Sequence, residues 1–174
     1  MILDIIRLCF FPALMAFAAA SDLLTMTISN RISLLLIAGF VALAATTGMT
    51  GADLLQHGAA GLIVLVGSFC FFAMGWIGGG DAKIASVAAL WLGLSHVLDY
   101  LFFASLFGGV LTLLLLQFRQ WPLPYALGKQ NWLVRLHIKG ADIPYGIALA
   151  LGALLVYPET RWITAVDLSN FAFH

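Results

Sequence analysis

Long apolar runs separated by short polar stretches dominate the sequence. Six such runs occur, at residues 5–20, 32–46, 59–77, 83–94, 100–117 and 143–156. A membrane-spanning helix needs about 20 apolar residues, and shorter ones are tolerated where the helix tilts or the bilayer thins. The pattern therefore predicts an all-α integral membrane protein, a polytopic bundle of about six transmembrane helices that forms a single membrane-embedded domain over residues 1–174.

Polar residues mark the predicted ends of these spans. The first span is expected to end at Asp22, and residues 53–57 are expected to be a short linker before the third span. Residues 118–142 form the longest polar loop, and Pro144 is expected in the first turn of the last helix, where proline is tolerated. Residues 161–174 are predicted to be a tail whose aromatic side chains suit the membrane interface, namely Trp162, Phe171 and Phe173.

Composition also indicates that the chain folds in a membrane and not in water. Only 9% of its residues are charged and 63% are hydrophobic, whereas a soluble domain carries about 25% charged residues. Eight basic and eight acidic residues give a net charge of zero, so no basic face indicates nucleic acid. Cys9 and Cys70 lie inside apolar runs without CxxC spacing, so they are interpreted as small core residues and not as a disulfide or metal pair.

The first run has a second interpretation. Residues 5–20 followed by Ser21 resemble a secretory signal peptide with Ala18-Ala19-Ala20 as its cleavage site. Signal peptides begin with a basic region, but here Asp4 offsets Arg7. An uncleaved first span is therefore the favoured interpretation.

The distribution of Lys and Arg predicts the orientation. With six spans and an outside N-terminus, two basic residues lie outside (Arg7 and Arg161) and six inside (Arg31, Lys83, Arg119, Lys129, Arg135 and Lys139). Positive residues favour the cytoplasmic side, so this orientation is expected and its inverse is not. Asp22 and Asp81 then lie at the same, cytoplasmic, membrane face.

The stretch Gly78-Gly79-Gly80-Asp81-Ala82-Lys83 joins the third and fourth predicted spans. Glycines allow another chain to approach closely, and an ionisable residue at the membrane indicates a functional site. Two carboxylates at one depth share a proton, because two like charges a few ångströms apart cannot both stay ionised. Asp22 and Asp81 would then activate a water and protonate an amide carbonyl. These residues predict an aspartyl protease at the inner membrane surface.

Structural roles compete with this interpretation. Either aspartate could instead cap a helix, and the three glycines could be only a flexible turn. Asp142 lies on the same side and competes as a member of the pair, but Asp142-Ile143-Pro144 is typical of a cap followed by an early-turn proline. Lys83 could reach the interface with its charged end, or it could bias the charge of the aspartate pair.

Three segments resemble the type IV prepilin peptidase family. Residues 78–84, followed by Ala88-Ala89-Leu90-Trp91-Leu92-Gly93, resemble its G-x-G-D-x-K signature. Residues 21–25, followed by Ile28-Ser29-Asn30, are similar to its first aspartate motif, with Ser29 where the family has proline. Ile143-Pro144-Tyr145-Gly146 resembles its Pro-Tyr/Phe-Gly element, so that the resemblance covers about residues 8–156.

This resemblance implies an aspartic endopeptidase of the bacterial inner membrane that removes the leader peptide of prepilins or pseudopilins on the cytoplasmic side. Asp22 and Asp81 would be the catalytic pair, and Gly78, Gly79, Gly80 and Lys83 would shape the turn against the substrate. The chain resembles the short, peptidase-only subclass that serves tight-adherence (Flp-type) pili. Cleavage is expected without N-methylation, metal or cofactor; the expected partners are the prepilin and the lipid bilayer, and the oligomeric state is left open.

Two other classes stay open at this point. Presenilin-like intramembrane proteases also use a G-x-G-D turn, but they carry their aspartates within adjacent helices, whereas Asp22 and Asp81 lie at span ends with two spans between them. A non-enzymatic transporter or pilus-assembly subunit would use the aspartates to bind cations or protons. Such a transporter would show polar residues in mid-span, and the predicted spans are almost bare of them.

Overall fold

The computed structural model describes residues 2–123 and 127–166, and within them the chain is helical and without strands. The helices are α1 (Ile2–Thr25), α2 (Asn30–Thr46), α3 (Gly51–Ala73), α4 (Gly79–Leu92), α5 (Val97–Phe118), α6 (Asn131–His137), α7 (Gly146–Val156) and α8 (Arg161–Thr164), with 3-10 turns at Leu127–Lys129 and Tyr157–Glu159. This confirms the predicted all-α membrane fold. Three helices, α1, α3 and α5, are long and apolar enough to cross a membrane, while α2 and α7 are shorter apolar helices. Six crossings stay a prediction.

Two predicted helix boundaries were wrong near the polar ends of spans. Helix α1 continues past Asp22 and ends at Thr25. The next residue, Met26, has a left-handed φ of 55°. The residues predicted to be a linker, 53–57, belong to α3, which starts at Gly51 and ends at Ala73. The reason is a capping box: the Thr50 hydroxyl accepts from the Asp53 N–H, and the Asp53 carboxylate accepts from the Thr50 N–H at 3.0 Å.

The last part of the chain also differs from its prediction. Pro144 precedes α7, which begins at Gly146 with Tyr145 as its N-cap, so the proline lies just outside the first turn. Residues 161–164 are helical instead of a tail, and the Trp162 side chain is only 1% exposed. Its indole N–H donates to the Trp91 carbonyl at 2.7 Å, so Trp162 is a core residue and not an interface anchor. Phe171 and Phe173 lie outside the described residues.

Helix α4 is the centre of the bundle although it is short. Nine of its fourteen residues are buried, because α2, α3, α5 and α7 all pack against it. Trp91 near its end is 0% exposed, makes tilted ring contacts with Phe11 and Trp162, and donates its indole N–H to the Leu36 carbonyl at 3.0 Å. Buried aromatic rings of this kind dominate core packing. Asp81 is therefore carried at the start of a helix whose body is packed in the centre of the bundle.

Candidate active site

A cavity of about 280 Å³ lies where α1 ends, α4 begins and the chain enters α7. It brings together Asp22, Asp81 and Asp142, although they are far apart in sequence. The remaining lining residues come from the turns beside these helices: Met26, Gly75, Trp76, Ile77, Gly78, Ile143 and Tyr145. Three carboxylates thus line one cavity, and two carboxyls that share a space are the arrangement that general acid–base chemistry needs.

Asp22 lies in the last turn of α1, with 6% of its surface exposed. Its Oδ2 accepts a 2.7 Å hydrogen bond from the backbone N–H of Gly146, the first residue of α7. The first amides of a helix have no partner within the helix, and they bind negative groups well. This contact joins α1 to α7, and Asp22 also lines the cavity.

Asp81 lies in the first turn of α4, before the apolar part of that helix. Burial raises its pKa to about 7, and the charges of Asp22 and, to a smaller extent, Asp142 act in the same direction, while a hydrogen bond with the backbone of Gly78 opposes them. Near neutral pH the Asp81 carboxyl therefore holds a proton for much of the time. A buried carboxyl of this kind can donate a proton at a pH where an ordinary aspartate cannot.

The predicted turn-shaping glycines each meet a different neighbour. A Cβ on Gly78 would lie 3.0 Å from Asp81 Oδ2, and Gly78 also lines the cavity. A Cβ on Gly79 would lie 3.3 Å from the Phe72 ring, and one on Gly80 would lie 3.3 Å from Ile28 Cβ. These distances are tight, so the glycines allow α4 to begin against α3 and the turn after α1.

Lys83 points away from the aspartates. Its Nζ donates a 2.9 Å hydrogen bond to Oδ1 of Asn30 at the start of α2, and the side chain lines a separate apolar groove between α2, α3 and α4. Lys83 is not one of the described residues that line the aspartate cavity. The structure thus gives Lys83 a contact that ties α4 to α2.

The segment between α5 and α7 contains Arg119, to which the sequence pattern assigned only a role in orientation. Arg119 is only 6% exposed; its Nε donates to the Leu136 carbonyl at 2.8 Å and its Nη2 donates to the Asp142 carbonyl at 3.0 Å. Asp142 was expected to cap the last helix, but the capping position is Tyr145, because α7 starts later than predicted. The Asp142 side chain is instead exposed and lines the cavity. Arg119 therefore fixes the segment that leads to Gly146.

Removing the Arg119 guanidinium should loosen this loop. In Arg119→Met the apolar stem remains, but the Leu136 and Asp142 carbonyls lose their donor, at an expected cost of about 2 kcal/mol in unfolding free energy. We expect faster chymotrypsin cutting within residues 119–142 and a lower melting temperature in detergent. Lys139→Met, an exposed charge in the same loop, is the matched control. Equal cutting of both variants would show that Arg119 does not hold the loop.

Comparison with known proteins identifies the family. A model of the type IV leader peptidase family matches residues 9–113, a segment that includes Asp22, Asp81, the three glycines and Lys83. No curated protein and no solved structure matches the chain. The matched segment begins within α1, ends within α5 and is more than half of the 174 residues. The chain therefore belongs to the type IV leader peptidase family, a family of proteases.

Proposed function

We propose that this protein is an aspartic endopeptidase of the bacterial inner membrane that removes the leader peptide of Flp-like type IV prepilins at the cytoplasmic face, without N-methylation. The observation that carries the proposal is the shared cavity of Asp22 and Asp81. Each comes from a different helix within the segment that matches the leader peptidase family. The Flp-type substrate and the lack of methylation rest on the resemblance to the short subclass.

The chemistry follows from the unequal surroundings of the two carboxyls. Asp22, with the Gly146 N–H on one oxygen, acts as the ionised base and removes a proton from a water molecule in the cavity. The water oxygen attacks the carbonyl carbon of the scissile amide, while protonated Asp81 donates its proton to the carbonyl oxygen. The gem-diol intermediate then collapses: the C–N bond breaks, the leaving amine takes the proton from Asp22, and one diol hydroxyl returns its proton to Asp81 as the acid carbonyl forms, so that both aspartates regain their starting states. The second product is the leader with a free carboxylate.

The placement of basic residues supports a cytoplasmic active site. Lys83 contacts Asn30 beside Arg31, and Arg119 binds the backbone of Asp142, so three predicted inside residues lie at the cavity end of the bundle. Arg161 pairs with Asp53 at 2.8 Å at the start of α3. The 23 residues of α3 separate the two ends by about 35 Å. Positive residues concentrate on the cytoplasmic side of membrane proteins.

Co-expression with Flp-type prepilins tests the proposal. Wild-type protein should release the basic leader at its border with the apolar helix, and the mass of the new N-terminus should show no added methyl group. Another leader peptidase that cuts the same prepilin provides the positive control. Uncut prepilin beside abundant, membrane-inserted protein would contradict the proposed function, while cutting of unrelated membrane segments would indicate a broader intramembrane protease.

The proposed activity should fall as pH rises through about 7, the pKa of Asp81. Because that pKa is raised, the proton needed for the carbonyl oxygen is present below pH 7 and lost above it. For a single ionisation, the rate at pH 9 should be about 100-fold lower than at pH 6. Initial rates in detergent, with size-exclusion profiles at each pH as a control for unfolding, measure this. A flat profile between pH 6 and 9 would exclude Asp81 as the proton donor.

A further inference from the structure

A second cavity, of about 480 Å³, adjoins the aspartate cavity. Ile77 and Tyr145 line both, so the two spaces meet at the turn before α4 and the turn before α7. Helices α3 and α5 form the walls of this second space, and Ala85 of α4 and Leu149 of α7 lie between them. We call it the α3/α5 groove. It leads from the place of the proposed chemistry along two helices of membrane-spanning length.

The groove exists because its walls have other principal partners. Helix α3 packs mainly on α4, and α5 packs mainly on α7. Both walls also carry small residues that project little into the groove, namely Gly67 and Ser68 on α3 and Ser105 and Gly109 on α5. A Cβ added to Gly67 or Gly109 would meet no atom within 4 Å. In membranes, small residues allow another helix to approach the backbone closely.

The dimensions of the groove match a helix segment. On α3 its lining runs from Ile63 to Phe71, which is eight rises and about 12 Å, or roughly two helical turns. Its lining is overwhelmingly apolar, with Ser68 and Ser105 among the few polar side chains, and the Ser68 hydroxyl already donates to the Val64 carbonyl at 2.6 Å. A charged leader segment would find no partner there, whereas an apolar helix would lose nothing by entering.

We propose that the α3/α5 groove binds the first two turns of the prepilin's apolar helix, directly after the scissile bond. This inference rests on the proposed function. Ile77 and Tyr145 line both spaces, so a peptide whose scissile amide lies between Asp22 and Asp81 enters this groove by continuing past these two residues. The other apolar groove, of about 400 Å³ and lined by Lys83 and Leu34, shares no lining residue with the aspartate cavity within the described ranges.

Filling the groove tests the proposal without disturbing the aspartates. Gly67→Leu and Gly109→Leu should each raise the apparent KM for full-length prepilin about tenfold, with kcat changed less than about twofold, because only substrate binding is obstructed. Gly58→Leu is the matched control: it lies on α3, also has no atom within 4 Å of an added Cβ, and lies outside the groove. Wild-type kinetics in both groove variants would overturn the inference while leaving the proposed function intact.

A binding measurement separates the inference from the activity. A photo-crosslinking amino acid at position 67 or 109, in an Asp81→Asn background, should capture uncut prepilin through its apolar helix, whereas the same group at position 58 should not. Crosslinks to lipid alone at 67 and 109 would show that the groove holds acyl chains and would overturn the inference. If prepilin is captured at positions 67 and 109 but the wild-type protein does not cleave it, only the proposed function is contradicted.

Discussion

Prepilin cleavage should be lost when either Asp22 or Asp81 is changed to asparagine. Asparagine keeps the size and the hydrogen-bonding geometry of the side chain but neither accepts nor donates the catalytic proton. General acid–base groups contribute about 10²–10⁴-fold to rates, so each variant should be slower by about 10³-fold. The rate of leader release in membranes, normalised to the amount of folded protein, measures the effect. Both variants should retain wild-type abundance, because each carboxyl is replaced by a side chain of equal volume.

Two further aspartates provide controls for this experiment. Asp99→Asn removes an exposed carboxylate in the first turn of α5, outside the aspartate cavity, and should cut at the wild-type rate. Asp142→Asn changes a carboxylate within the cavity, but Arg119 holds the Asp142 backbone and not its side chain, so its rate should fall less than about threefold. If Asp22→Asn cut normally and Asp142→Asn did not cut, Asp142 and not Asp22 would be the general base.

Gly146→Ala should produce the second large loss. A Cβ at this position would lie 2.8 Å from Asp22 Oδ2 and 2.9 Å from Ile28 Cδ1, which is closer than atoms of these kinds pack. Asp22 would have to move and would lose its 2.7 Å hydrogen bond from the Gly146 N–H. A displacement of about 1 Å in a catalytic group costs about 100-fold in rate, and we expect that reduction in kcat.

The matched control for this substitution is Gly58→Ala, which adds the same methyl group where no atom lies within 4 Å. Alanine is the better helix former at both positions, so helix propensity cannot explain a difference between them. Melting temperatures of both variants would separate misfolding from a local effect on Asp22. Wild-type kcat in Gly146→Ala would show that the contact with α7 is not needed to position Asp22.

The placement of Asp22 and Asp81 beside one cavity was accessible from the sequence because it depends on two coarse features. The apolar runs place two spans between the aspartates, and the Lys and Arg distribution assigns both to one face. Such features survive errors of several residues in helix boundaries. The meeting of both side chains in one 280 Å³ cavity needed only that the intervening spans form a closed bundle.

The contacts that hold the pair could not be predicted in this way. Gly146 binds Asp22 through its backbone N–H, and no side-chain pattern in the sequence marks such a contact. The family resemblance included Gly146 but assigned it no role. Arg119 was one of several basic loop residues, and its burial arises only because the loop returns to α7. No local pattern distinguishes a buried loop arginine from a solvated one.

The boundary errors have a common physical cause. Hydropathy shows where apolar residues stop, but a helix continues into the membrane surface as long as its backbone groups are satisfied. Ser21 and Thr25 illustrate this, since the Thr25 hydroxyl donates to the Ser21 carbonyl at 2.7 Å within the polar last turn of α1. The Thr50-x-x-Asp53 capping box was readable from the sequence, and it was missed because its residues are polar.

The most direct test of the central claim uses the purified chain alone. Wild-type protein in lipid vesicles is mixed with a Flp-type prepilin at pH 6, and the products are analysed by mass spectrometry beside those of Asp22→Asn and Asp81→Asn. We expect a single cut between the basic leader and the apolar helix, an unmethylated new N-terminus, and no cut by either variant. Cleavage that persists in both variants, or intact prepilin with folded wild-type protein, would contradict a catalytic pair formed by Asp22 and Asp81.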